Sequence, residues 1–142
     1  SVCNYVIFLL QDKDYRENEN YQLENEWLSK NPNNISIYND DELCGFTFTT
    51  NGFINLYKLL KRAFDARLYK VQNKNLRIFL IAGDNDPVIQ STKKFKQLEQ
   101  FLNKIGYKNT QSKLYPDLRH EILNEKEYEQ IYSDILEFIK GE

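Results

Sequence analysis

The sequence predicts an α/β fold with a parallel sheet, and three features of its second half carry that prediction. Leu76 to Ala82 is a nearly continuous apolar run, as in a strand covered on both faces, and it stops at Gly83. An amphipathic helical stretch follows it. A second short strand candidate, Ser112 to Tyr115, then precedes a final helical stripe.

Taken in order, the chain begins at Ser1, has no methionine, and soon enters the apolar run Tyr5-Val6-Ile7-Phe8-Leu9-Leu10, which reads as a core strand or helix. That run is far shorter than the roughly 20 residues a bilayer span demands. Neither a basic flank nor a small-residue cleavage site marks it as a signal peptide. The abrupt start reads as a piece of something longer. Gln11 to Gln22 is polar without apolar period, which predicts a surface loop. Two short helices are expected between Leu23 and Tyr38, one over Glu24 to Lys30 with Trp27 and Leu28, and one after Pro32, whose fixed φ suits a first helical turn.

Leu43 to Thr50 alternates aromatic and threonine side chains, so an extended backbone would put Phe46 and Phe48 on one face. From about Gly52 to Arg67, Phe53, Leu56, Tyr57, Leu60 and Phe64 recur at helical spacing, a stripe that reads first as core packing. After the Leu76 strand, Ser91 is a candidate N-cap for a helix whose stripe is Phe95, Leu98, Leu102 and Ile105, with Gly106 as its stop. Pro116 ends the second strand. Asn124 with Glu127 three residues on approximates a capping box for a last helix whose buried stripe is Ile131, Ile135, Phe138 and Ile139. Residues 1–68 thus read as a helical region with a poorly assigned start, and 69–142 as the α/β part. Two strands alone leave both sheet edges open and bury little surface, so further strands are expected elsewhere, or a second copy that pairs edges into a homodimer.

At 142 residues the chain has the size of one domain. Its net charge of -2 comes from interspersed acids and bases, which argues against nucleic acid and anionic lipid as partners. A small or lipidic ligand suits it better, and a soluble, cytoplasmic protein is expected. Cys3 and Cys44 make no disulfide framework and sit in no zinc pattern, so they read as buried thiols.

Reactive groups in parallel sheets gather beyond the carboxyl ends of the strands. Gly83-Asp84-Asn85-Asp86-Pro87-Val88 follows the first strand and Tyr115-Pro116-Asp117-Leu118-Arg119-His120-Glu121 the second. His120 is the only histidine, and imidazole alone both takes and returns a proton near neutral pH with an unperturbed pKa. A carboxylate on the neighbouring loop would hold its Nδ1–H and stabilise the imidazolium. Asp84 and Asp86 both qualify, both also read as turn residues, and spacing does not choose between them.

These two segments, the second extended through Ile122-Leu123-Asn124-Glu125, resemble the acid and histidine motifs of α/β-hydrolases of the lysophospholipase and monoacylglycerol lipase type. The resemblance implies Asp86 as the triad acid, His120 as the general base, and Asp84 as a turn residue. Asn25-Glu26-Trp27-Leu28-Ser29 and Leu43 through Phe53 resemble the helical cap of such proteins, which implies an acyl-binding role for Phe46, Phe48 and Phe53 beside a packing one. It implies no cofactor or metal. The family's nucleophile is a serine in a G-x-S-x-G elbow, and its oxyanion hole lies near that elbow. No serine here is flanked by glycines in that pattern, and Cys44 lacks a strand-turn-helix setting. The expectation is therefore the C-terminal half of a serine ester hydrolase acting on lysophospholipids or monoacylglycerols, inactive alone, with its N-terminal half missing. A non-catalytic α/β module that binds a lipid or a partner chain is the alternative.

Overall fold

The computed structural model describes residues 25–141. Within them run helix α1 (Pro32–Asp40), helix α2 (Thr50–Ala63), strand β1 (Arg77–Gly83), helix α3 (Thr92–Ile105), strand β2 (Asn109–Tyr115) and helix α4 (Tyr128–Lys140), with short 3-10 turns at Ala66–Leu68, Pro87–Ile89 and Ile122–Asn124. The expected run Tyr5 to Leu10, the loop Gln11 to Gln22 and Cys3 lie outside the described residues.

β1 and β2 pair in parallel, from Arg77 opposite Asn109 to Gly83 opposite Tyr115, with α3 as the crossover that a parallel pair requires. The two strands therefore end side by side. β2 begins three residues before the expected Ser112, because Asn109, Gln111 and Lys113 face outward while Thr110, Ser112 and Leu114 are half-buried, a period of two that its polar composition conceals. Ser91 Oγ accepts from Lys94 N at the start of α3, and Gly106 ends it in the left-handed region at φ 120°. Tyr115, Leu118, Ile122 and Ile131 form the core, with Ile81 and Ile135 packed against it. Ile131 is inaccessible to solvent.

Several expectations fail locally. Residues 25–30 form a turn, not a helix, because their backbone groups bond across the fold: Leu28 O accepts from Glu121 N (2.8 Å), and Lys30 N donates to the Glu125 carboxylate. The Leu43 to Thr50 segment joins no strand; Thr49 caps α2 instead, accepting from Gly52 N. α2 ends at Ala63 because Asp65 caps the separate turn Ala66–Leu68 through Arg67 N. Its stripe is not core among the described residues: Leu56, Tyr57, Leu60 and Phe64 are all exposed, Phe64 by 58%. The last helix starts without the capping box, since the Asn124 amide donates to Glu121 Oε2 (3.2 Å) and Glu127 makes no side-chain cap bond. In its stripe Ile131 is buried, Ile135 and Phe138 are half-buried and Ile139 is exposed. Among the described residues no helix is long and apolar enough to cross a membrane.

Candidate active site

The site begins where β1 must end in glycine. A side-chain carbon on Gly83 would lie 2.1 Å from Leu118 O and 2.5 Å from Arg119 O, so only a glycine lets the loop after β2 lie across the end of β1. Asp84 N donates to Tyr115 O and Asn85 N to Leu118 O, both at 3.0 Å, which binds the two loops into one unit.

The paired loops separate the roles of the two aspartates. Asp84 Oδ1 accepts from Asp117 N (2.6 Å), bracing the turn in which Asp117 adopts φ 60°. Asp86 is buried; its Oδ1 accepts from Val88 N (2.8 Å), leaving Oδ2 3.0 Å from His120 Nδ1. That geometry fixes the imidazole with Nδ1–H toward the acid and Nε2 turned elsewhere. The hydrogen bond from Asp86 raises the His120 pKa above its ordinary 6.5; partial burial opposes the rise, while the charges of Asp86 and Glu121 add to it.

His120 is held from the other side by the 26–34 segment. The Arg119 guanidinium donates to Glu26 O (2.5 Å) and Ser29 O (3.0 Å), Glu121 N donates to Leu28 O, and the Asn34 amide donates to Glu121 Oε2. Trp27 lies over the imidazole, ring centroids 5.3 Å apart at 40°. Behind them sits Glu125, a buried carboxylate whose role the sequence does not reveal, since nothing in Asn-Glu-Lys-Glu distinguishes a buried acid from a solvated one. It accepts from Ser29 Oγ, Lys30 N and Arg119 N.

Phe46, Phe48 and Phe53 meet at the start of α2, with ring centroids 5.3 Å apart for the first pair and 5.4 Å for the second. The structure thus assembles two groups, an acid-histidine pair and an aromatic cluster. It offers no activated nucleophile among the described residues. Ser29, Ser36, Ser91 and Ser112 commit their hydroxyls to Glu125, Asp40, the α3 cap and Glu99 respectively, and Ser133 stands exposed within helix α4 and not at a strand-to-helix turn. Partial desolvation, with Asp41 and Glu121 nearby, pushes the Cys44 thiol up, so it stays protonated and poorly nucleophilic near neutrality. No cluster of three or more His, Cys, Asp or Glu among the described residues is placed to hold a metal ion.

A family model described as serine aminopeptidase, S33, matches residues 8–127. Among solved structures, a highly thermostable carboxyl esterase from Bacillus coagulans, crystallised with glycerol, superposes with a TM-score of 0.72 at 24% identity. The match covers 96% of this chain and 44% of the esterase, so the chain spans less than half the length of that protein, and at this identity the likeness speaks for the fold. No curated protein matches the chain. With parallel strands, the loops at their carboxyl ends and a family model that spans most of its length, the chain belongs to the serine aminopeptidase, S33, family and has an α/β-hydrolase fold.

Proposed function

We propose that this chain carries the acid and the base of a serine carboxylic-ester hydrolase, with Asp86 as the acid and His120 as the base. The observation that supports it most is the 3.0 Å contact between the buried Asp86 Oδ2 and His120 Nδ1, at the aligned carboxyl ends of two parallel strands. His120 Nε2 takes the proton of a serine hydroxyl as it attacks the ester carbonyl, then returns it to the leaving alcohol. Water enters by the same exchange in reverse, and Asp86 stabilises each imidazolium.

The serine and its oxyanion hole belong to sequence outside this chain, which makes the chain the C-terminal, acid-base half of the enzyme and inactive alone. In this reading the described residues up to 68 belong to the cap over the site, and residues from 69 onward to the α/β part. The substrates are lysophospholipids or monoacylglycerols, favoured by the motif resemblance and by Phe46, Phe48 and Phe53, whose clustered rings suit an acyl chain. The family's description names peptide cleavage, and the structural neighbour's names ester cleavage; both pass through the same proton transfers, and the aromatic cluster favours the ester.

The test joins the chain to its natural upstream sequence and follows fatty acid release from monoacylglycerol and lysophosphatidylcholine. Labelling by a fluorophosphonate probe is expected. Full activity in His120→Ala or Asp86→Asn would refute the assignment, and binding without labelling or turnover would point to the non-catalytic module instead.

A further inference from the structure

We infer that Glu125 is a positioning residue for His120, a buried carboxylate that ties the amide beside the base to the segment carrying Trp27 against the imidazole. The inference rests on the reading of His120 as the base. Glu125 is 1% exposed and Ser29 inaccessible. Glu125 Oε1 accepts from Lys30 N (3.0 Å) and Arg119 N (3.2 Å), and Oε2 from Ser29 Oγ (3.0 Å) and Lys30 N (2.9 Å). Ser29 Oγ in turn accepts from Asn31 N (3.0 Å).

Burying a carboxylate is costly unless donors surround it, so one in this place needs a reason. Only an acceptor with two oxygens gathers three donors from two distant chain segments at a single point. Arg119 N, one of those donors, is the amide immediately before His120. On the other side of the histidine, Glu121 N is fastened to Leu28 O. Both flanks of the base are therefore pinned to the 26–30 segment, while its partner Asp86 stands on a different loop. The Asp86–His120 bond survives only while the two loops keep their spacing, since a hydrogen bond is lost beyond roughly 3.5 Å.

The full chain contains one histidine, so the imidazole nitrogen signals in an NMR titration belong to His120 without further assignment. The comparison is between wild type, Glu125→Gln, Ser29→Ala, Asp86→Asn, and Ile131→Val as a core variant that thins the packing beneath Leu118 and Ile122 without removing any hydrogen bond of the loop. Glutamine keeps the volume but turns an amide nitrogen toward one of the donors. The expected result is a wild-type midpoint above 6.5 that falls in Asp86→Asn. In Glu125→Gln it falls the same way, with about threefold weaker proton binding and a less populated Nδ1–H tautomer. Ser29→Ala shifts less, and Ile131→Val not at all. If Asp86→Asn lowers the midpoint while folded Glu125→Gln and Ser29→Ala match wild type, Glu125 merely fills the structure and the inference is overturned. Should Glu125→Gln fail to fold, Ser29→Ala decides. No response to Asp86→Asn overturns both the acid-base pair and this inference, whereas a normal titration with no ester cleavage in the extended protein overturns the proposed function alone.

Discussion

Replacing Gly83 by alanine would set a methyl carbon 2.1 Å from Leu118 O, 2.3 Å from Leu118 C and 2.5 Å from Arg119 O. All three are backbone atoms of the histidine loop, so no side chain can swing aside. Restoring an ordinary contact requires the end of β1 and that loop to part by about 1 Å, and overpacking of this kind against backbone costs about 3 kcal/mol. For a chain of this size that lowers Tm by roughly 10 °C. The same movement stretches the Asp86–His120 contact from 3.0 Å to about 4 Å, beyond hydrogen-bonding range. Thermal unfolding by circular dichroism and the NMR titration of His120 read the two effects separately. A Gly83→Ala protein that melts within about 2 °C of wild type and titrates His120 unchanged would show that the close approach does not exist.

The remaining predictions concern charge and core. Because Asp86 raises the folded-state pKa of His120 above its unfolded value near 6.5, the pair contributes stability that is complete below 6.5 and lost as pH rises through the folded midpoint. Urea midpoints from about pH 6 to about pH 9 should fall more in wild type than in Asp86→Asn, though the 39% exposure of the His120 side chain keeps the difference small. Equal slopes would contradict the pair. In the extended hydrolase the rate rises with pH through that midpoint, and Asp86→Asn costs about 10³- to 10⁴-fold in kcat. Asp84→Ala removes one bond to Asp117 N, costs about 1 kcal/mol in urea unfolding, and leaves kcat within about tenfold; a loss as deep as that of Asp86→Asn would reverse their roles. Ile131→Ala empties the centre of the core and should cost about 3–4 kcal/mol, and a loss below about 1 kcal/mol would mean that α4 is not docked there.

Two of the local patterns mislead for one cause. The helix expected at Glu24 to Lys30 and the capping box at Asn124 and Glu127 are sound local patterns, but both lie in the strap around His120, where Lys30 N bonds Glu125 and the Asn31 amide bonds Asn124 O from far along the chain, while the Asn124 amide turns back to Glu121. The α2 stripe fails differently. Its 3.6-residue period predicts the helix correctly, yet periodicity states only that one face is apolar and not what covers it.

From the sequence alone came the elements with strong local signals: the apolar run of β1, the Ser91 cap and Gly106 stop of α3, and the stripe of α4 centred on Ile131. The same reading placed an acid and the single histidine in loops beyond two strands, and the motif resemblance favoured Asp86 over Asp84. Tertiary structure decided the rest. It set the register that brings Gly83 beside Tyr115, and this let Asp84 reach Asp117 N while Asp86 reached His120. It also buried Glu125 behind the base. Short-range propensity is written in neighbouring residues, whereas the worth of a carboxylate depends on which donors the fold brings to it from far along the chain.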